Sequence, residues 1–515
     1  MEKMSATASR AIGILAMFAL AGACTDSARS PGPTLALTPC RVANVENEVK
    51  CATFEVFENR ETRQGRKIGM NIVVLPATAR IKEPDPVFVF AGGPGQAAAD
   101  LARESLMILG GLNTRRDIVL IDQRGTGKSN GLGCKFVDAN TPETIDPLKR
   151  ELLNRKQLLE CRDKLASQAD LTLYTTTIAM ADIDEVRQAL GYERINLWGG
   201  SYGTRAAQEY LRRYPGRVRS VVIDGVAPPS MVMPATFSRD ATAAYDRMLA
   251  ACAGERACAQ QFPQLKTLVD DLLADLGRRP RKVTLSDPLS GVPREVAITK
   301  EGVLMVIFTT LYVPEMAALL PEVLVHAQEG NYAPLMALTS VFSDFAEEKI
   351  FAGMRFSVLC AEDVPRIGRN RQAPEGALFG DLFLREFVKP CNDWPRGTMA
   401  KDFDQPVRSD KPVLILSGGL DPVTPPVFGD EVKKTFTNSL HLVARNIGHG
   451  VSAHGCAPRL IKTFVEAASV AGIDGKCLER LPRPLFFEPM RNKEEPKTGG
   501  RARVARMQET EGAGK

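Results

Sequence analysis

Residues 194–214 read RINLWGGSYGTRAAQEYLRRY and contain the clearest structural signal in the sequence. The apolar run INLW is typical of a buried strand, and a helical pattern follows the turn GGSYG at residues 199–203. This turn matches G-x-S-x-G, in which a serine occupies a strained bend between strand and helix and small neighbours let the backbone pack. The stretch therefore predicts a strand–turn–helix unit with Ser201 as its candidate nucleophile.

The same alternation of strands and helices continues on both sides of this unit. Two β-rich runs around a polar turn predict an antiparallel hairpin at residues 54–75, and a closing helix is predicted near residues 458–468. Alternation of this kind implies an α/β fold whose mostly parallel sheet is flanked by helices. Further strands are predicted at residues 86–90, 117–122, 218–224, 412–417 and 440–444.

Residues 228–405 interrupt the alternation with amphipathic helical patterns, which predict a mainly helical cap. The α/β core is then formed by residues 40–227 and 406–485. Residues 486–515 are rich in charge and glycine and poor in large apolar side chains, so they predict a disordered tail. The expected organisation is one core, one insertion and a tail.

The composition excludes several classes of protein. The chain has 515 residues, of which 44% are hydrophobic and 25% charged, as in ordinary soluble proteins and unlike disordered or multi-span membrane proteins. The net charge of +5 is concentrated at the two ends of the chain, so the body has no basic surface for a nucleic acid. We expect no nucleic-acid partner.

Residues 1–23 predict an export signal, because Lys3 and Arg10 precede a short apolar run that ends in the small residues AGA. The run is too short to span a membrane. Cys24 follows the predicted cleavage site and leaves two alternatives open, a lipid-anchored mature chain or plain cleavage. We expect a secreted or periplasmic protein whose membrane attachment, if it has one, is a lipid on Cys24.

Ten cysteines remain besides Cys24, and an even number in an exported chain favours disulfides over metal ligands. The simplest connectivity joins each cysteine to its nearest neighbour in the sequence. No C-x-x-C or H-E-x-x-H spacing occurs, so we expect no metal and no cofactor. The predicted pairs are Cys40–Cys51, Cys134–Cys161, Cys252–Cys258, Cys360–Cys391 and Cys456–Cys477.

A nucleophilic serine needs a histidine base, and the chain has four histidines. His449 is favoured, because it lies in a loop between the last predicted strand and the closing helix. His454, five residues later, is the alternative. His441 falls inside a strand, and His326 falls on a helix of the cap, where a packed or surface histidine is the ordinary expectation.

The base needs an acid, and the transition state needs backbone donors for its oxyanion. Asp421 follows the strand VLILS and gives the chain order Ser, Asp, His that accompanies a G-x-S-x-G serine. Asp224, at the end of an earlier strand, is the alternative acid. Tyr202, which follows the serine, supplies one oxyanion N–H. Gly93, in a glycine-rich turn after another strand, is the candidate for the second.

The stretch DQRGTGKS at residues 122–129 follows a strand and ends in G-K-S, as a phosphate-binding loop would. Asp122 replaces the first glycine of that motif, and its carboxylate would repel a phosphate. The residues after Ser129 do not open a helix. We therefore expect no nucleotide partner.

Taken together, GGPG, DQRGTGKS, GGSYG, SGGLDPVTP and IGHG resemble the proline iminopeptidase and tripeptidyl aminopeptidase branch of the α/β-hydrolases. The resemblance covers most of residues 54–477. It implies the α/β-hydrolase fold and a serine peptidase that removes residues from peptide N-termini, with Ser201, Asp421 and His449 as its triad. Ala91 stands where the iminopeptidases usually have a histidine, and the chain is longer and richer in cysteine, so it is more similar to the exported tripeptidyl branch.

The resemblance also implies that a carboxylate of the cap binds the free amine of the peptide substrate. Glu362 and Asp363, next to Cys360, are the candidates, although they could instead form a solvated turn or cap the next segment. Two other functions stay open. One is a carboxylesterase that uses the same machinery on small acyl esters, and the other is a non-catalytic envelope protein that binds a ligand.

Overall fold

The computed structural model describes residues 35–134, 155–288, 290–346, 350–368 and 376–489. The predictions for the export signal, for Cys24 and for most of the tail fall outside these ranges. No helix in the described ranges combines the length and the apolar character needed to cross a membrane.

Strands and helices are numbered in chain order through the described residues. The strands are β1 Thr38–Cys40, β2 Val49–Phe57, β3 Lys67–Leu75, β4 Val87–Phe90, β5 Ile118–Ile121, β6 Ile195–Gly200, β7 Val218–Asp224, β8 Arg281–Ser286, β9 Pro293–Ile298, β10 Val413–Gly418 and β11 Ser439–Ala444. The helices are α1 Ala102–Asn113, α2 Arg155–Ala166, α3 Thr176–Ala189, α4 Tyr202–Arg213, α5 Phe237–Gly254, α6 Arg256–Gln261, α7 Leu265–Arg278, α8 Lys300–Thr310, α9 Pro314–Ala317, α10 Leu320–Gln328, α11 Ala333–Ala346, α12 Ala352–Val358, α13 Leu382–Val388, α14 Pro426–Lys433, α15 Ala457–Ala467 and α16 Lys476–Glu479.

Nine of the described strands form one sheet in the order β1-β2-β3-β5-β4-β6-β7-β10-β11. The ladders from β1 to β5 are antiparallel, and the ladders from β5 to β11 are parallel. The hairpin predicted at residues 54–75 is β2–β3, in which Phe54 pairs with Met70. The expectation of a mostly parallel sheet flanked by helices is confirmed.

The centre of the sheet is apolar on both faces. Every residue of β4 and β5 is buried, as their continuous apolar sequences predict. Phe88 belongs to the cluster that contains Tyr210 of α4 on one face, and Val89 belongs to the cluster that contains Phe464 of α15 on the other. Each such side chain contributes about 1.5–3 kcal/mol when fully buried. This packing fixes the carboxyl ends of the parallel strands, where the candidate site residues lie.

The chain between β7 and β10, residues 225–412, is called the insertion below. It contains α5 to α13 and an antiparallel hairpin formed by β8 and β9. Phe308, Leu324 and Phe383 belong to its own apolar core, which Val423 joins from the loop after β10. The β8–β9 hairpin is not among the strands that the sequence predicts, because β8 is short and mostly polar and no residue in it is fully buried.

All five predicted disulfides are present, and the nearest-neighbour connectivity is confirmed. A disulfide typically stabilises a fold by about 2–4 kcal/mol, mainly by restricting the unfolded chain. Cys360–Cys391 links the segment after α12 to the turn after α13. This bond restrains the part of the insertion that contains Glu362 and Asp363.

Candidate active site

Ser201 lies in a strained turn between β6 and α4. Its φ of 55° and ψ of −125° are unfavourable for a residue with a side chain. The neighbouring glycines are required by close packing, because a Cβ on Gly203 would lie 2.0 Å from the carbonyl oxygen of Phe90 and a Cβ on Gly199 would lie 2.4 Å from the carbonyl oxygen of Gly203. The strain and the small neighbours are those of a nucleophile elbow. The serine itself is half-buried and so remains within reach of solvent.

Asp421 and His449 form a hydrogen-bonded pair. The carboxylate oxygen Oδ2 of Asp421 lies 2.8 Å from Nδ1 of His449 and accepts a second hydrogen bond from the hydroxyl of Thr424 at 2.7 Å. Oδ1 accepts from the backbone N–H groups of Val423 and Thr424, both at 2.8 Å. Four donors therefore hold a carboxylate that is fully buried, and its hydrogen bond to Nδ1 fixes the orientation of the imidazole.

Each member of this pair stabilises the charged form of the other. Burial lowers the pKa of His449, but the charge of Asp421 and its hydrogen bond outweigh burial, so the pKa lies above its ordinary value of 6.5. Burial raises the pKa of Asp421, but His449 and the donors on Thr424 outweigh it, so this pKa lies below 3.8. A histidine in this environment can accept a proton near neutral pH and be stabilised while it is charged.

The alternatives to this pair lie elsewhere. His454 donates its backbone N–H to Val451 at the start of the closing segment, and it makes no hydrogen bond to Asp421 in the described chain. Asp224 accepts hydrogen bonds from backbone N–H groups of the loop after His449. His326 lies near two glutamates on the surface of α10.

His449 lies close to the elbow, although no hydrogen bond joins its ring to Ser201 within the described residues. The backbone N–H of Ser201 donates to the carbonyl of Asp224 at 2.9 Å. Gly225, the residue after Asp224, has a φ of +66°, and a Cβ on it would lie 3.2 Å from Cε1 of His449. The serine and the imidazole therefore flank the same short stretch of chain. Hydrogen bonds of this kind often close only when substrate binds.

The predicted oxyanion donors lie against the elbow. A Cβ on Gly92 would be 3.3 Å from Cβ of Ser201, so the turn after β4 touches the serine. Gly93 has a φ of +108°, which favours glycine, and its N–H finds no acceptor among the described residues. The N–H of Tyr202 is the first in α4 and has no partner there either. Two free donors next to a serine can bind the oxyanion of an acyl-transfer transition state.

Tyr312, in the insertion, packs on the candidate base, a contact that the sequence does not predict. Its carbonyl accepts the backbone N–H of His449 at 2.9 Å, and the centre of its ring is 5.0 Å from the centre of the imidazole in an edge-to-face arrangement. A Cβ on Gly448 would lie 2.2 Å from the same carbonyl oxygen. The contact of Thr424 with Asp421 is likewise not predicted from the sequence, although the place of Thr424 three residues after Asp421 suits a local side-chain turn.

Glu362 and Asp363 are buried behind the elbow helix, and both already have partners. Asp363 forms ion pairs with Arg205 and Arg366, each at 3.1 Å. Glu362 accepts hydrogen bonds from the backbone N–H of Thr176 at 2.6 Å and from its hydroxyl at 2.8 Å. Burial raises the pKa of Glu362 to about 8, although the donors on Thr176 oppose the rise. The alternative of a solvated turn is wrong, since the two residues are at most 1% exposed.

A hydrogen-bonded chain connects Glu362 to the residue that follows the candidate nucleophile. The hydroxyl of Thr176 lies 2.6 Å from the hydroxyl of Tyr202, which also accepts from the side-chain amide of Gln123 at 3.1 Å. Tyr202 is fully buried, and burial raises the pKa of its hydroxyl, so it stays neutral and can act as a donor. The candidate amine-binding carboxylate is thus linked to the elbow through two hydroxyl groups.

A second serine, histidine and aspartate lie in hydrogen-bonded sequence at a different place. Ser417 in β10 and Asp430 in α14 each lie 2.9 Å from a ring nitrogen of His441 in β11. Ser417 is completely buried, so no substrate can reach its hydroxyl. This group connects two strands and a helix, and its geometry alone does not make a catalytic site.

The DQRGTGKS segment is tied into the core through its polar groups. The carboxylate of Asp122 accepts from the backbone N–H groups of Ala99 and Lys128 at 2.9 and 3.1 Å. Arg124 is fully buried and forms an ion pair with Asp182. Within the described residues, no group of three or more histidine, cysteine or carboxylate side chains is arranged to hold a metal ion.

Two family models match the chain. The model of the alpha/beta hydrolase fold matches residues 85–291, and the model of the TAP-like proteins matches residues 376–477. Together they span more than half of the chain and include every residue of the elbow and of the Asp421–His449 pair.

Several named proteins are similar in sequence. Serine protease Hip1 of Mycobacterium tuberculosis is 24% identical over 485 residues, which cover 87% of this chain and 91% of that protein. Tripeptidyl aminopeptidase of Streptomyces coelicolor is 27% identical over 200 residues, 36% of this chain and 37% of that protein. A probable proline iminopeptidase of Streptomyces coelicolor is 30% identical over 159 residues, 30% of this chain and 36% of that protein.

Proposed function

We propose that this chain, a serine peptidase of the α/β-hydrolase family, is an exported aminopeptidase. It would release N-terminal residues or short peptides through an acyl-enzyme intermediate. The observation that carries the proposal is the hydrogen bond of 2.8 Å between Asp421 and His449, next to the strained Ser201 and its two free N–H donors.

The proposed reaction assigns one step to each of these groups. His449 takes the proton of Ser201 as the serine oxygen attacks the scissile carbonyl, and Asp421 stabilises the imidazolium that forms. The N–H groups of Gly93 and Tyr202 bind the oxyanion of the tetrahedral intermediate. His449 then gives the proton to the leaving amine as the C–N bond breaks. Water, activated by the same histidine, hydrolyses the serine ester and restores the free enzyme.

Aminopeptidase specificity requires a group that binds the substrate ammonium, and we propose Glu362 for this role. Asp363 is the weaker candidate, since Arg205 and Arg366 already neutralise it. Glu362 has hydrogen-bond donors but no direct ion pair among the described residues, and its pKa of about 8 would fall when a cation binds beside it. The names of two relatives, a tripeptidyl aminopeptidase and a probable proline iminopeptidase, support this specificity.

Export is supported by the five disulfides, because such bonds form and persist in oxidising compartments. The predicted signal in residues 1–23 agrees with a secreted or periplasmic location, where a lipid on Cys24 would add a membrane anchor. Mass spectrometry of the protein from its native compartment tests the location. Ten free thiols in place of five disulfides would overturn the export proposal.

A carboxylesterase is the second candidate function. It is favoured by the burial of Glu362 and Asp363 and by their bonds to groups of the protein itself, Thr176 for Glu362 and Arg205 for Asp363. The same serine, histidine and oxyanion donors would hydrolyse an ester without any amine recognition.

The deciding experiment is a panel of chromogenic substrates: amino-acyl and tripeptidyl amides with free N-termini, the same amides acetylated, and simple acyl esters. An aminopeptidase cleaves the free amides and loses most activity on the acetylated ones. An esterase cleaves the esters and neither set of amides. Ser201→Ala serves as the control for contaminating hydrolases, since activity that survives in it does not come from this site.

A further inference from the structure

Asp224, the last residue of β7, binds both loops of the proposed site. Its backbone carbonyl accepts the N–H of Ser201 at 2.9 Å. Its carboxylate accepts the N–H of Val451 at 2.8 and 2.9 Å and the N–H of Ser452 at 2.6 Å. One residue therefore holds the elbow through its backbone and the histidine loop through its side chain.

The carboxylate is held by backbone amides in a dry environment. Asp224 is 3% exposed, and burial raises the pKa of its carboxyl, while the hydroxyl and amide of Ser452 and the amide of Val451 oppose the rise. Burying a carboxylate is costly unless hydrogen bonds compensate. Hydrogen bonds to a charged acceptor are stronger than neutral ones, so the loop after His449 is held firmly.

The contacts of Asp224 also limit the movement of the His449 imidazole. His449 is two residues before Val451, whose N–H the carboxylate binds. On the other side, the chain leaves Asp224 through Gly225, where a Cβ would lie 3.2 Å from both Cε1 of His449 and the hydroxyl of Thr424. The imidazole therefore lies between Gly225, which follows Asp224 in the chain, and the loop whose amides the Asp224 carboxylate binds.

We infer that Asp224 is a positioning residue, which sets the distance and orientation of His449 relative to Ser201. The inference rests on the proposed roles of those two residues. Asp224 acts through the loops and does not contact the reacting atoms, which distinguishes it from Asp421, the acid that bonds directly to the ring. The charge of Asp224 has a second effect, because it acts together with Asp421 to raise the pKa of His449. The ring of Tyr312 also packs on this imidazole.

The test is Asp224→Asn, which keeps the size and one acceptor oxygen but removes the charge. We expect kcat to fall roughly 10- to 100-fold, the loss typical of hydrogen bonds to a charged acceptor, while KM stays within about twofold. The acid limb of the kcat/KM profile should move to lower pH. The rate at which a fluorophosphonate labels Ser201 should fall in parallel with kcat.

Asp117→Asn is the matched control. Asp117 is also buried, and it accepts the N–H of Ala77 at 2.9 Å, but it precedes β5 at the opposite end of the strands. This variant loses a buried charge without touching the site, so its kcat should stay within about twofold of wild type. If Asp224→Asn does not fold, Asp224→Ser fits the same space and carries the same expectation for kcat.

The outcomes separate the inference from the proposed function. If Ser201→Ala abolishes turnover but Asp224→Asn keeps wild-type kcat and the wild-type pH profile, Asp224 has no positioning role. If Asp224→Asn and Asp117→Asn lose activity equally, and only in proportion to the unfolded fraction, both aspartates are merely structural. If Ser201→Ala itself remains active, the proposed function fails, whatever Asp224 does.

Discussion

The backbone carbonyl of Tyr312 accepts the N–H of His449 at 2.9 Å, so a residue of the insertion holds the loop that carries the candidate base. The ring of Tyr312 lies edge-to-face on the imidazole, and Phe308 packs behind it with a centroid distance of 5.3 Å. The insertion is therefore connected to the proposed chemistry through main chain and side chain. Movement of this part of the insertion would change the position of the histidine.

Ser201→Ala should abolish turnover and leave the fold intact, because alanine keeps the small side chain that the elbow requires. The loss should be on the order of 10⁶-fold in kcat, since members of a triad act as a unit. Ser417→Ala is the matched control, because Ser417 also bonds to a histidine but is completely buried. A fluorophosphonate should label wild type and Ser417→Ala, and labelling of Ser201→Ala would contradict the assignment.

His449→Ala should be nearly as severe as loss of the serine, and His454→Ala should reduce kcat by less than about tenfold. The reason is that Asp421 orients His449, whereas His454 has only backbone hydrogen bonds in the described structure. Steady-state kinetics on the same substrate measures both. The opposite ranking would assign the base to His454.

Activity should fall as the pH drops through a value above 6.5. The base works only when neutral, and the pKa of His449 is raised by Asp421, so protonation begins to inactivate the enzyme at a higher pH than for a free histidine. The dependence of kcat/KM on pH between 5 and 9 checks this. Asp421→Asn should slow the reaction and move the acid limb of the profile to lower pH. A wild-type kcat/KM that does not fall between pH 9 and 5 would argue against a histidine base.

Gly448→Ala should lower kcat by about 100-fold, because the new Cβ would lie 2.2 Å from the carbonyl oxygen of Tyr312 and would displace His449 from its place. Gly216→Ala, where a Cβ meets nothing within 4 Å, is the control and should keep wild-type kinetics. Circular dichroism confirms that both variants are folded. Wild-type activity in Gly448→Ala would show that the contact with Tyr312 does not position the base.

Glu362→Gln should lower kcat/KM for peptides with a free N-terminus by roughly 30-fold or more, since removing one partner of a desolvated charge pair costs about 2–5 kcal/mol. Hydrolysis of a simple ester should barely change. Equal losses on peptide and ester would mean that Glu362 supports the hydrogen-bonded chain to Tyr202 and not the substrate. No loss on either would place amine recognition elsewhere in the insertion.

The sequence was most informative where the signal is local. The apolar strands and the GGSYG turn have patterns set by neighbouring residues, and the positive φ of Ser201 agrees with the turn that they predict. The five disulfides also followed from order along the chain. In contrast, the contact of Tyr312 with His449 joins residues far apart in sequence and leaves no local pattern. The burial of Glu362 and Asp363 could not be predicted for the same reason, because their partners Thr176 and Arg205 are far away in the sequence.

The position of the insertion also affects how the protein is made. Ser201 and its elbow are synthesised before the insertion, whereas Asp421 and His449 come after it and reach the sheet only when β10 and β11 add to β7. A chain whose β10 and β11 have not yet joined the sheet would therefore carry the serine without its base, and peptide cleavage would begin only after these two strands are in place.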